Sequence, residues 1–213
     1  MKNNKKKYAL LIILILFIAF FSSQCMMTRT NTESKKTVAV ILPYTYNKEH
    51  SRILDAIRDY AYNNSIILDV WHEKSLSSNK LASIVSAEEQ NHTIGILLIY
   101  PENYLQEKEQ HYDYANMLAI TDTMQSSFSH HASFETSPSP SYPLPVSARV
   151  IKKVHEGKTD CIYIKNTYKL GYESIQMLDT YSRNKHMKDI SIPCQKVNKA
   201  AIESGELDAL LTN

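Results

Sequence analysis

Between Thr37 and Tyr100 the chain alternates two kinds of apolar pattern, and that alternation restricts the fold more than any other feature. "TVAVIL" (37–42), "SIILDVWH" (65–72) and "TIGILLIYP" (93–101) are short runs rich in β-branched residues. They are of strand length, and the first is apolar on both faces, as central strands of a parallel sheet are. Between them, "EHSRILDAIRDYAYNN" (49–64) places Ile53, Leu54, Ile57, Tyr60 and Ala61 at helical spacing. Arg52, Asp55, Arg58 and Asp59 fall on its opposite face. "SSNKLASIVSAEEQN" (77–91) does the same with Leu81, Ile84 and Val85, and Ser77 or Ser78 stands where an N-cap belongs. Strand, helix, strand, helix, strand at this pitch predicts an α/β fold with right-handed parallel crossovers.

A fourth strand is expected at "MLAIT" (117–121), ending before Asp122. "MQSSFSHHASFETSPSPSYPLP" (124–145) is rich in Ser and Pro without an apolar period, and reads as a long connection. The adjacent His130 and His131 lack a third ligand nearby, so no metal is expected. The rhythm then returns. A helix over "VSARVIKKVHEGK" ends at Gly157, a strand covers "TDCIYIKN", and a helix covers "YKLGYESIQMLDTYSRN". "DISIPCQKV" reads as one strand, "NKAAIESGE" as a short helix and "LDALLTN" as a last strand.

The N-terminus carries a separate signal. Lys2, Lys5, Lys6 and Lys7 precede the unbroken apolar run "YALLIILILFIAFF" (8–21), the basic and hydrophobic regions of an export signal or membrane anchor. Cys25 stands where a lipoprotein would carry its lipid, although Ser22 and Gln24 depart from the usual residues there. Cleavage, lipidation and retention all stay open, and each leaves the bulk of the chain outside the cytoplasm. Cys161 and Cys194 then read either as a disulfide or as two unpaired small residues. The expected organisation is 1–28 signal peptide or anchor, 29–36 linker and 37–123 a first lobe. The connection at 124–145 then leads to a partial second lobe at 146–213.

Several functions find no support. Net charge is +2, partly from the N-terminal lysines, so there is no nucleic-acid footprint. With four glycines and neither GxGxxG nor GxxxxGK[ST], no nucleotide cofactor is indicated. Neither GxSxG nor HExxH occurs, and an enzyme is not expected.

The order of elements and the residues at the strand tips resemble the type I periplasmic binding proteins, the fold shared by sugar receptors of ABC transporters and LacI-type repressors. The resemblance runs from Lys36 to Asn213. It rests on "KTVAVILPYTYNKEHSRILDAIRDYAYNNSIILDV", "HTIGILLIYP", "YIKNTYKLGYESI" and "LDALLTN". In the third of these Lys169 takes the place of an arginine and Gly171-Tyr172 that of a Gly-Phe pair. Asn213 matches the Asn of a closing Asn-Asp, so the second lobe looks incomplete and the chain truncated.

The resemblance implies two Rossmann-like lobes whose strand-end loops face each other across a ligand cleft. A hydroxyl-rich, sugar-like molecule would lie there, its flat face on aromatic rings and its hydroxyls on polar side chains. The residues implied are Tyr44, Tyr46, Asn47, Tyr100, Glu102 and Asp122 from the first lobe. Asn166, Lys169 and Asn213 would come from the second. The partner would be an ABC permease or a sensor kinase. A ligand-free interaction module docking on such a membrane partner is the alternative.

Overall fold

The computed structural model describes residues 35–45, 47–107, 110–122, 127–135 and 148–205. The N-terminal apolar segment, Cys25, Tyr46, "LDALLTN" and Asn213 lie outside the described residues. The chain divides into Met1–Lys35 and Lys36–Asn213. Apart from Lys35, every described residue belongs to the second unit.

The centre of that unit is a six-stranded sheet in the order β2-β1-β3-β4-β5-β7, parallel throughout. The strands are β1 (Thr37–Pro43), β2 (Ile67–Glu73), β3 (Gly95–Ile99), β4 (Met117–Ile120), β5 (His131–Phe134) and β7 (Ile190–Ile192). Every residue of β3 and β4 is buried, as befits strands covered on both faces.

Two helices cover one face: α1 (Lys48–Asn63) and α4 (Thr167–Asn184). Ile53, Leu54 and Ile57 of α1 join Leu170, Ile175 and Leu178 of α4 over Val38, Val40, Leu97 and Leu118. The opposite face is packed by α2 (Ser78–Gln90), whose Leu81, Ile84 and Val85 meet Ala39, Ile41, Ile96 and Leu98. The strand residues alternate between these two cores, the period-2 consequence of the pleat. Ser77 caps α2, accepting from the Lys80 amide.

The α1–α4 contact is unusually close. A Cβ placed on Gly171 would lie 2.5 Å from the carbonyl oxygen of Ile53, so only glycine lets the two backbones approach this far. At the N-terminal edge of the sheet, the carboxylate of Asp179 on α4 is 3% exposed. It accepts from Lys36 Nζ at 2.7 Å, Tyr60 Oη at 3.1 Å and Arg183 Nη2 at 2.8 Å. Burial and this carboxylate push the Tyr60 phenol up to about 12.

A smaller layer stands beside the sheet. In it β6 (Cys161–Ile164) and β8 (Gln195–Asn198) pair antiparallel, with α3 (Ala148–His155) and α5 (Lys199–Glu203) against them. Ile151, Val154, Ile162, Ile164 and Val197 form its separate core. The chain passes between sheet and small layer three times: between β5 and α3, at Lys165–Asn166, and at Pro193–Cys194.

Three expectations are corrected here, and one open alternative is decided. A lobe boundary at 145/146 is not the one the molecule uses, because α4 and β7 return to the first sheet. Their apolar faces find a larger partner surface there than the two-stranded layer offers. The 124–145 connection is not loop throughout: His131–Phe134 forms β5, its Ala132 and Phe134 entering the main core. "DISIPCQKV" is two strands in two sheets, broken at Pro193, which cannot donate to a ladder. Cys161 and Cys194 are both free thiols.

Candidate functional site

In the order β2-β1-β3, the connections leaving β1 and β3 diverge to opposite faces. A crevice therefore opens beyond the carboxyl ends of these strands, the place where open α/β sheets take ligands. Here it is a cleft of about 620 Å³. After β1 it is lined by Tyr44, Asn47 and His50, after β2 by Glu73 and Lys74, and after β3 by Asn103 and Tyr104. Tyr44 is 56% exposed, and Lys74 holds its ammonium 4.6 Å from the ring centroid. Glu73 is 7% exposed and ion-paired to Lys80 on α2 at 2.5 Å. Tyr104 is buried, and its hydroxyl donates to the Ile41 carbonyl at 3.1 Å. Burial holds that phenol well above its ordinary value, hence neutral.

The wall between β1 and β3 is the most organised part. Asn47 caps α1, its Oδ1 accepting from the Glu49 and His50 amides at 2.9 and 3.1 Å. In return, the Asn47 backbone N–H donates to His50 Nδ1 at 3.1 Å, a capping box with histidine at the third helical position. The His50 ring is 6% exposed and lies 5.2 Å from the Tyr100 ring. Burial lowers the His50 pKa, against a weaker upward pull from Glu49 and Asp122.

Tyr100 itself has a left-handed backbone, φ 48° and ψ 57°, a costly conformation for a bulky residue. It turns the chain sharply into a 3-10 turn at Pro101–Asn103, and the Tyr100 hydroxyl donates to Glu49 Oε1 at 2.8 Å. Burial first, then Glu49, raise this phenol far above its usual range. Further along the tips, Glu102 Oε1 accepts from the Asp122 amide at 2.9 Å. Asp122 Oδ1 pairs with Lys165 Nζ at 3.1 Å, tying the end of β4 to one of the three crossings.

Among the residues expected from sequence, Tyr44 and Asn47 line the cleft and Tyr100 stands behind its wall. Glu102 and Asp122 lie beside it. Asn47 does so chiefly through its capping role, since its side-chain oxygen is engaged. Two residues are displaced. Asn166 caps α4, accepting from the Lys169 amide at 2.9 Å. Lys169 is exposed and faces Glu173, one turn along its own helix, at 3.6 Å. Both were expected from a second lobe. They sit instead at the start of a helix that covers the first sheet, and Gly171 serves helix packing.

His50, Glu49 and Lys74 escaped the sequence reading. The Asn47–His50 spacing was the available signal, an N-cap followed three residues on by a side chain that can accept.

No family model and no curated protein matches the chain. Among solved structures it is similar to a periplasmic ribose ABC transporter from Conexibacter woesei DSM 14684. That pair is 10% identical, covers 81% of this chain and 95% of the other, and gives a TM-score of 0.50. It also resembles a carbohydrate transporter solute-binding protein from Agrobacterium radiobacter, in complex with D-arabinose (10% identity, 83% and 99% covered, TM-score 0.49). A trehalose repressor from Escherichia coli is similar to the same degree (8% identity, 76% and 100% covered, TM-score 0.49). At these identities the likeness is one of fold: an α/β chain built as the type I periplasmic binding proteins are.

Proposed function

We propose that this chain, built on the type I periplasmic-binding-protein fold, binds a small hydroxyl-rich solute of the sugar class in the cleft beyond β1 and β3. The observation that carries the reading is the cleft itself. It lies at the switch point of a parallel sheet, has an exposed aromatic ring at its mouth, and is walled by side chains held in single hydrogen-bonded orientations. Tyr44 offers the flat apolar surface, while Lys74, Asn103 and His50 offer polar groups to the hydroxyls. Binding rather than chemistry fits this set, and the solved structures of similar fold are described as binding or regulatory proteins.

The basic and apolar N-terminal segment supports a place outside the cytoplasm, against the membrane. There the protein would serve an ABC-type permease or a sensor kinase. Among the described residues no helix is long and apolar enough to cross a membrane, so this part of the reading rests on residues 1–28.

The test is the melting temperature of the full-length chain across a carbohydrate panel including D-ribose, D-arabinose and myo-inositol. A bound sugar at 100 times its Kd adds about 2.7 kcal/mol, a rise of several degrees for a chain of this size. A flat response to every sugar from a folded sample overturns the reading.

A second reading is a module that docks on a membrane permease or kinase without a small ligand. It draws on Tyr62 at the end of α1 and Ile67 and Trp71 on edge strand β2, which are 87%, 46% and 37% exposed. Cross-linking in intact cells that captures a stoichiometric membrane protein, with no sugar response, would favour it.

A further inference from the structure

His50 is held more rigidly than a helix cap requires, and the way it is held fixes its chemistry. The backbone N–H of Asn47 can only donate, so His50 Nδ1, 3.1 Å away, must present a lone pair. The ring is therefore neutral and carries its hydrogen on Nε2. That N–H has no protein acceptor among the described residues, although the ring forms part of the cleft wall. Tyr100 packs against the ring at 5.2 Å, and is itself pinned by a left-handed backbone and by its bond to Glu49. Asn47 and Tyr100 thus define one tautomer and one orientation. The single group they leave unspent is a hydrogen-bond donor.

We propose that His50 is a ligand-binding residue, its Nε2–H donating to a hydroxyl or ring oxygen of the bound solute, and that only the neutral ring supports binding. The inference rests on the cleft being a ligand site and adds a contact at its wall and the condition on it. Protonation would place a second N–H on Nδ1, facing the Asn47 N–H donor to donor. The capping box would open, and with it the hold on Asn47, which lines one side of the cleft with Tyr44 and Thr45. The groups that face the ring are Glu49 from its own helix, Tyr100 at the end of β3 and Asp122 after β4. The two carboxylates favour the charged ring, and burial outweighs them. The neutral form therefore persists below the ordinary imidazole value of 6.5.

His50→Gln separates the two roles. Glutamine is a natural partner at the third position of a capping box and restores an acceptor for the Asn47 N–H. Its own NH2 sits on a longer, open-chain amide that the Tyr100 ring does not hold as it holds the imidazole, so the donor is no longer fixed where Nε2–H stands. In the full-length chain, H50Q is expected to melt within about 2 °C of the parent. It should bind the responding sugar of the ribose, arabinose and inositol panel about tenfold more weakly, the worth of one buried hydrogen bond. Parent affinity should hold from pH 8 through 6.5 and fall only at more acidic pH, while that of H50Q stays flat.

Ring ¹⁵N shifts measured without any sugar give an independent check. An Nδ1–H tautomer at pH 7.5 overturns the proposal outright. A panel sugar that perturbs Tyr44 but not His50, or that H50Q binds as tightly as the parent, overturns the role of His50 and leaves the cleft standing. No perturbation anywhere in the cleft overturns both.

Discussion

The two edges of the α1–α4 layer use their polar groups in opposite ways. At the N-terminal edge of the sheet, Asp179 is surrounded: a lysine from the start of β1, a tyrosine from α1 and an arginine from its own helix all donate to it. Both carboxylate oxygens are engaged there, and the cluster joins three elements. At the carboxyl edge, Asn47, His50, Tyr100 and Glu49 are also bonded to one another, but the set stops short of satisfying itself. One edge is closed chemistry that holds helices together. The other is an oriented shell with a donor remaining. Similar residue types do different jobs according to whether the last hydrogen bond is made within the protein.

That contrast can be broken most severely at the joint both edges share. Gly171→Val would drive a side chain into the Ile53 carbonyl, separate α4 from α1 and cost about 3 kcal/mol. Chemical denaturation should show a lower midpoint, and sugar binding should fall with it.

Asp179→Asn should come next, at about 2 kcal/mol, because Tyr60 and two cations lose their charged acceptor. Denaturant midpoints would measure it. Affinity of the folded protein at the far edge should be unchanged, and a matching loss of binding would mean the edges are coupled.

The edges should also titrate in opposite senses. The Tyr60 pKa is raised in the folded state, from 10.0 to about 12, so its contribution is complete below pH 10 and disappears as pH climbs from 10 to 12. The His50 pKa is lowered in the folded state, so its contribution is present above 6.5 and is lost as pH falls beneath that value. Melting curves of Tyr60→Phe and H50Q should each remove one limb of the pH profile and leave the other.

The smallest effect is expected from Lys165→Ala. Its bond to Asp122 is partly exposed and should be worth under about 1 kcal/mol, with salt sensitivity to match.

Much of this organisation could be read from the residues alone. The first five elements were legible because Ile53, Leu54, Ile57, Tyr60 and Ala61 repeat at helical spacing and every one is buried. What could not be read was which sheet an apolar stripe would cover. Leu170, Ile175 and Leu178 identify α4 as amphipathic, yet nothing in the stripe distinguishes a large sheet nearby from a small one. β5 was hidden because a four-residue parallel strand with His131 and Ser133 has no period to detect. At the site, strand-tip positions follow from parallel topology, so Tyr44, Asn47 and Tyr100 could be found. His50 was signalled only by its spacing from Asn47, which alone does not separate it from any other polar residue in a helix's first turn. Its importance comes from a tyrosine fifty residues away.

The return of α4 and β7 to the main sheet also bears on the order in which the protein can be made. Ribosomes deliver β1 to β5 first, and over that interval Leu97, Ile99, Leu118 and Ile120 lack the helix that finally shields them. Thr167–Asn184 emerges only after the whole of α3 and β6 has been synthesised, and the sixth strand later still. The nascent chain thus carries an uncovered greasy surface through most of its translation, the condition under which holding chaperones engage. A fragment ending before Thr167 should inherit the same exposure permanently and precipitate rather than fold.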